Sequence, residues 1–307
     1  MSTVERMSDA CPEVIVTLGV RDRRQVASDL VALTKPRVLV MVLVTTLVGY
    51  DVGLTGSADY LRVIHLLIGT LLAAGGTLAL NQYWERDVDA RMARTRSRPL
   101  PAGRLQPLEA LALGTALTLL GTAYLAALVG VLVALITAVT SILYLFAYTP
   151  LKRRSALCTL VGAVPGALPP VAGWAAARGD VALGAWILFG VLFLWQLPHT
   201  LSIARLYRDD YARAGVRVLP VIDPDGASTE RQMVLACVAL LAVSLVPPVI
   251  GWTGSTYLGG AVALGLAFAA VGIVQALAPS PRAARRVLLA SLLYLPLLLG
   301  LLALDKR

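Results

Sequence analysis

Charge is what this 307-residue chain has least of. Asp, Glu, Lys and Arg together supply 15% of it, against roughly 25% in a soluble domain, which excludes an ordinary water-soluble enzyme. Cysteine is nearly absent as well. Cys11, Cys158 and Cys237 lie far apart, so a disulfide framework, a paired-cysteine zinc site and a Cys-x-x-Cys-His heme attachment are all excluded. The three read as free thiols, with Cys158 and Cys237 as packing residues inside spans. No internal repeat, low-complexity tract or soluble domain stands out. Residues 1–29 are polar and charged without a signal-peptide pattern, and they read as a flexible cytoplasmic tail ahead of a single membrane domain over 30–307.

What the chain has in abundance is apolar sequence, 58% of the total. Runs of about 18 or more apolar residues recur along nearly the whole length, the pattern of a multi-span helical membrane protein. Nine spans are predicted, at 36–54, 63–84, 108–128, 130–149, 157–177, 183–206, 233–251, 256–277 and 286–304. The distribution of basic residues tests this count. With the N-terminus in the cytoplasm, all but Arg62, Arg178, Lys306 and Arg307 of the 27 Lys and Arg fall on the inner side. Basic inner loops are what orient such proteins, so the C-terminus is expected outside. The net charge of +9 is thereby explained by topology and anionic lipid head groups, and it does not imply nucleic acid.

The second predicted span runs directly into Asn81-Gln-Tyr-Trp-Glu85-Arg-Asp87-Val-Asp89, followed by Arg94, Arg96 and Arg98. A charge at the bilayer centre costs about 2.5–3.5 kcal/mol, so such a cluster at a span's end marks a site. If the helix continues, Asn81, Glu85 and Asp89 stack on one face, because residues four apart are neighbours. That face offers only oxygen ligands, which suit magnesium rather than zinc or copper. The arginines that follow suit phosphate. Oxygen-bound magnesium beside arginines at a membrane surface points to a lipid diphosphate. Asp87 lies about 200° from Glu85 on the helix and reads as an arginine partner.

Polar chemistry returns at the inner end of the sixth span with Trp195-Gln-Leu-Pro198-His199 and Arg208-Asp209-Asp210. On a continuous helix, positions 199, 203, 206 and 210 share a face, and Pro198 can free a carbonyl just before His199. The second and sixth spans run in the same direction, so both acidic ends reach one membrane face. There they can share magnesium and one diphosphate. The fourth span ends at the same face with Tyr144, Tyr148, Lys152, Arg153 and Arg154. His65, near the outer end of the second span, reads as a local hydrogen-bonding residue. Gly75, Gly76, Gly162, Gly166 and Gly173 read as close-packing positions.

On these residues the chain resembles the UbiA superfamily of intramembrane prenyltransferases. The first motif of that superfamily, Asn-x-x-x-Asp-x-x-x-Asp, matches Asn81, Glu85 and Asp89, with Glu85 in place of an Asp. Asp209 and Asp210 stand for a shortened second motif. Leu33-Thr-Lys-Pro-Arg37, Arg94-Thr-Arg-Ser-Arg98, Tyr148-Thr-Pro-Leu-Lys152, the His199 string and Asp210-Tyr through Pro220 resemble the branch that farnesylates protoheme IX. The resemblance implies a helical bundle around a central cavity in a bacterial inner membrane, with the active site on the cytoplasmic side. It implies that farnesyl diphosphate donates its farnesyl group to a vinyl carbon of heme B, that water adds beside it, and that heme O and diphosphate leave. Heme O would pass to a heme A synthase or terminal oxidase.

Mg2+ held by Asn81, Glu85, Asp89 and Asp210 would neutralise the leaving group. Arg94, Arg98, Lys152 and Arg153 would clamp its oxygens, and Tyr83, Tyr144, Tyr148 and Trp195 would face the allylic cation or the heme. His199 is the lone-imidazole candidate, for heme iron or for the attacking water. An aromatic quinone precursor is the alternative acceptor. A transporter would place its ionisable groups near the midplane, often with inverted repeats. Here they crowd one face.

Overall fold

Lipid offers no partner to a backbone N–H or C=O, so apolar runs of bilayer length fold as helices. In the computed structural model, which describes residues 22–307, nine helices among the described residues are long and apolar enough to cross a membrane. They are Pro36–Gly53, Tyr60–Asp89, Pro107–Leu128, Val131–Leu151, Cys158–Arg178, Leu183–Leu206, Ala227–Val249, Ser255–Leu277 and Pro281–Asp305, numbered below as the first to ninth spans. The all-helical reading holds, since the described residues contain no strand beyond an isolated bridge between Thr253 and Lys306.

The boundaries differ where amphipathic turns extend an apolar run into the interface. The second helix continues through the acidic cluster to Asp89. The seventh begins at Ala227 and the ninth at Pro281, each several residues before the predicted start. The predicted tail also needs correction. A surface helix, Arg23–Leu33, begins inside it, capped by the Asp22 side chain, which accepts from Arg24 N. Asp29 on this helix is buried and pairs with Arg104 at 3.0 Å. Leu33 packs among Ala79, Leu100 and Leu105. The rest of the predicted tail, residues 1–21, lies outside the described residues.

Small residues let the spans approach. A Cβ on Gly76 would stand 2.4 Å from Thr118 N, and one on Gly173 would stand 1.9 Å from Thr46 O. Backbones that close leave no room for any other residue. Gly162 and Gly166 serve side chains instead, making room for the Tyr148 ring and the Gln196 amide. The main core joins the fifth to ninth spans through Trp174, Leu188, Met233, Tyr257 and Tyr294.

The two ends of the bundle differ in character. At one end, Tyr50 OH donates to Asp59 O, and Arg307 N donates to Trp252 O. Arg178, Lys306 and Arg307 line one cavity there, and Arg62 donates to Val129 O. These are the four basic residues that the charge alternation set apart. The acidic clusters and nearly all other basic residues gather at the opposite end, where the site is built.

Candidate functional site

The second span presents Asn81, Glu85 and Asp89 at successive turns of one helix. Asn81 and Asp89 are buried and Glu85 half-buried. Each meets a cation from a different segment. Asn81 Oδ1 accepts from Lys35 Nζ at 2.7 Å. Glu85 Oε1 accepts from Lys152 Nζ at 2.7 Å. Asp89 Oδ2 accepts from Arg98 Nη1 at 2.6 Å. Lys35 feels Glu85, Arg98, Lys152 and Asp89 electrostatically, so the three pairs form one mixed cluster. Burial pushes the Lys35 ammonium down to about 7, against the pull of Glu85. Burial acts on Lys152 in the same sense, but the Glu85 carboxylate overrides it and holds Lys152 well above the usual lysine range.

The backbone shapes this cluster in two unusual ways. Lys35 has φ 50, and it is the only non-glycine residue with positive φ among those described. A residue before proline is already restricted, and a non-glycine in the left-handed region is strained. This turn swings the ammonium from the membrane surface onto Asn81. Gln82 fixes the same turn by donating to Ala32 O and Leu33 O. In the fourth span, Leu143–Tyr148 is a π-helical turn, a distortion that recurs at functional sites. Thr149 Oγ1 donates to Tyr144 O across it and accepts from Asn81 Nδ2 at 3.0 Å. The wider turn presents Tyr144 and Tyr148 to the interior, and Lys152 Nζ lies 4.3 Å from the Tyr148 ring centroid.

The second acidic cluster meets the loop that follows Asp89. Asp210 Oδ2 accepts from Arg94 N at 3.3 Å, and its other oxygen pairs with Arg213. Arg94 lies over the Tyr207 ring, 5.3 Å from its centroid. Arg217 N donates to Lys152 O at 2.8 Å, tying this loop to the fourth span. Asp209 is exposed. A cavity of about 340 Å3 is lined by Trp84, Glu85, Asp87, Lys152, Arg153 and Arg154. A deeper one of about 240 Å3 is lined by Tyr144, Tyr148, Lys152, Gln196, Thr200 and Tyr211.

Other expectations fall elsewhere. His199 and Asp210 do not share a face, because the sixth span ends at Leu206 and Tyr207 breaks the helix with φ −114 and ψ 27. His199 Nδ1 pairs with Ser291 Oγ at 2.8 Å, and its ring stacks on Trp195. Trp195 Nε1 donates to Ser291 O. Both therefore face the ninth span rather than the cation cluster. Tyr83 packs beside Leu33 and Leu100 under Arg86, away from both cavities. Asp87 lies 3.9 Å from Arg86, as expected of an arginine partner. His65 pairs with Tyr124 at 2.7 Å.

Lys35, Thr149, Gln196 and Tyr211 are site-lining residues that the sequence reading did not select. A lysine directly before a proline, at the mouth of the first span, was the one visible signal among them.

No group of three His, Cys, Asp or Glu side chains is gathered for a metal among the described residues. The donors on offer are an amide and three carboxylates, each holding a basic group. An all-oxygen set that already attracts cations fits a hard divalent ion.

Known proteins resemble this chain in sequence and in fold. Residues 42–298 match the UbiA prenyltransferase family. A protoheme IX farnesyltransferase from Solibacter usitatus is 50% identical over 287 residues, covering 91% of this chain and 98% of that protein. One from Koribacter versatilis is 42% identical over 288 residues, covering 91% and 93%. Among solved structures, a digeranylgeranylglyceryl phosphate synthase superposes with a TM-score of 0.78 at 15% identity, over 92% of this chain and 98% of that one. A UbiA homologue from Archaeoglobus fulgidus bound to GPP and Mg2+ gives 0.59 at 16% identity, over 90% and 99%. At those identities the structural likeness concerns the fold.

Proposed function

The chain belongs to the UbiA prenyltransferase family, and from that premise we propose that it transfers the farnesyl group of farnesyl diphosphate to a vinyl carbon of protoheme IX, with addition of water. It is an integral membrane prenyltransferase. The heme acceptor rests on one observation: relatives 50% and 42% identical over nine-tenths of the chain are protoheme IX farnesyltransferases. The donor is supported by the cluster of cations around Asn81, Glu85 and Asp89, which suits a diphosphate and the metal that travels with it.

In this reading Asn81, Glu85, Asp89 and Asp210 hold Mg2+, which supplies positive charge to the departing diphosphate. Lys35, Lys152, Arg98 and Arg94 bind its oxygens, with Arg153 at the rim. Lys35, Lys152 and Arg98 already lie against Asn81, Glu85 and Asp89, and the Arg94 side chain lies over the Tyr207 ring, so the cations are gathered at the site before substrate arrives. Tyr144 and Tyr148 face the allylic carbon in the deeper cavity, where a ring face attracts a cation by roughly 0.5–2 kcal/mol. Apolar walls from Val38, Ala163 and Gly162 keep bulk water off it. His199 and Trp195 act, if on heme, from the ninth-span side. The site lies at the cytoplasmic end of a single membrane domain in a bacterial inner membrane, and the product goes to a heme A synthase or terminal oxidase.

The test is a reaction of purified protein with farnesyl diphosphate, Mg2+ and heme B, read by mass spectrometry. A hydroxylated farnesyl heme is expected. Product only with an aromatic quinone precursor would overturn the acceptor and leave the enzyme class standing.

A further inference from the structure

Two hydrogen bonds around Ser291 fix the state of the His199 ring. His199 Nδ1 lies 2.8 Å from Ser291 Oγ, and Ser291 Oγ lies 2.6 Å from Leu288 O. A carbonyl oxygen can only accept, so the single hydroxyl proton of Ser291 goes to Leu288. Ser291 Oγ must then accept from His199, and Nδ1 carries the ring proton. The bond made at one imidazole nitrogen sets the state of the other, so Nε2 is left with a bare lone pair. Among the described residues His199 makes no other hydrogen bond. Nor does Nε2 belong to the buried atoms left without a partner, so it is accessible on a half-buried ring.

The ring is also held in place. Trp195 stacks on it with centroids 5.0 Å apart, and Trp195 Nε1 donates to Ser291 O at 2.7 Å. Stacking covers a face of the imidazole, whereas the Nε2 lone pair lies in the ring plane and stays open. A neutral imidazole anchored through its other N–H is the form in which histidine binds metal, heme iron included. A free metal ion would need further ligands, and no group of three His, Cys, Asp or Glu side chains is gathered among the described residues. A porphyrin brings its own equatorial nitrogens and needs only an axial ligand from the protein.

We infer that His199 Nε2 binds the iron of the heme acceptor as its axial ligand, and that Ser291 is the positioning residue that keeps His199 in the ligating tautomer. The inference rests on the heme-acceptor reading above. The bond forms when Nε2 donates its lone pair to iron, and any water on that face of the iron leaves. No proton moves, because the only ring proton sits on Nδ1 and stays with Ser291. The neighbours of His199 on the sixth span, Gln196 and Thr200, line the deeper cavity with Tyr144 and Tyr148. His199 lies roughly 60° around the helix from Gln196. A porphyrin tethered there carries its rim, and so its vinyl groups, to the edge of the cavity that takes the allylic carbon. Holding two reactants in this way lowers the barrier between them.

The experiment adds ferrous heme B to the full-length protein and records the resonance Raman spectrum. Iron bound to imidazole gives an iron–nitrogen stretch, which shifts when the histidines carry heavy nitrogen. The chain has two histidines, and the other, His65, pairs with Tyr124. Wild type is expected to show the band. His199→Gly should lose it, and added imidazole should restore it. Ser291→Ala leaves the ring proton free to move to Nε2. Heme affinity should then fall about fivefold, the factor that one lost hydrogen bond is worth. The KM for heme B should rise alike, with the KM for farnesyl diphosphate unchanged, and Ser291→Thr should restore both heme values.

Tyr294→Phe removes another buried hydrogen bond of the ninth span, the one to Ser244 at 2.9 Å, and should leave the band and the heme affinity unchanged. If His199→Gly does not fold, Ser291→Ala and Ser291→Thr carry the comparison. Heme bound to wild type without the band would overturn the inference, as would a band that persists in His199→Gly. Wild-type heme affinity in Ser291→Ala would remove Ser291 from its role. If wild type binds no heme at all, it is the reading of the acceptor that fails.

Discussion

Lys35 Nζ donates to Asn81 Oδ1 across 2.7 Å, from a backbone held in the left-handed region with φ 50. Strain of this kind costs of order 1–3 kcal/mol and persists where the surroundings impose it. Here they are Pro36 on one side and Gln82, clasping Ala32 and Leu33, on the other. The result is a cation delivered to the head of the metal-type motif.

Lys35→Gly separates the backbone from the charge. Glycine adopts the left-handed conformation readily, so the membrane fold and its thermal midpoint should survive. The ammonium is lost, and a hydrogen bond to a charged group is worth about 1.5–3 kcal/mol. The expected result is a ten- to hundredfold fall in kcat/KM for farnesyl diphosphate, from about that energy, partly restored by Lys35→Arg. Unchanged kinetics in Lys35→Gly would remove Lys35 from the substrate site.

Lys35 also shows where sequence reading runs out. The nine spans were legible because a bilayer forces every long apolar run into a helix. The Asn81–Glu85–Asp89 face was legible because helical spacing is local. Lys35 and Asn81 stand 46 residues apart, and only the turn before Pro36 joins them. The His199–Asp210 relation failed for a related reason. Periodicity assumes an unbroken helix, and Tyr207 ends it. The π turn at Leu143–Tyr148 likewise rotates Tyr144 and Tyr148 in a way that no apolar pattern announces.

The surface helix should respond to acid through Asp29. A hydrogen bond from the Arg104 guanidinium, outweighing burial, holds the Asp29 carboxyl below its ordinary value. A carboxylate lowered on folding stabilises the fold above its unfolded pKa, and that stabilisation is lost as pH falls through the folded value. Arg104→Gln is therefore expected to lower the thermal midpoint by a constant amount from neutral pH to about pH 5, and the gap to wild type should begin to narrow as pH falls below about 4, the ordinary carboxylate value. A gap that widens on acidification would contradict the pairing.

Gly173→Ala tests the contact between the first and fifth spans. The added Cβ would lie 1.9 Å from Thr46 O, a backbone atom that cannot rotate away. Overpacking of this kind costs typically about 1–3 kcal/mol, so a lower thermal midpoint is expected in detergent or lipid. Gly259→Ala meets nothing within 4 Å and serves as the neutral comparison. Equal midpoints for the two variants would mean the spans are further apart than described.

The Lys152–Glu85 pair, 2.7 Å between Nζ and Oε1, admits two readings with different consequences. As a structural link it needs only one charge of each sign, and either residue could supply either. As part of a diphosphate and metal site it needs the carboxylate on the second span, beside Asn81 and Asp89, and the ammonium on the fourth, beside Tyr144 and Tyr148. Exchanging them discriminates. Glu85→Lys alone leaves two ammonium groups facing each other, and Lys152→Glu alone leaves two carboxylates. Breaking a buried pair this way costs about 3–5 kcal/mol, so both single variants should be poorly stable. The double variant Glu85→Lys/Lys152→Glu restores the attraction and should regain most of the thermal midpoint. Its prenyl transfer should nevertheless stay at least about a hundredfold below wild type, the usual loss when one electrostatic contributor to a transition state is removed. Recovery of activity together with stability would show that the pair is only a brace.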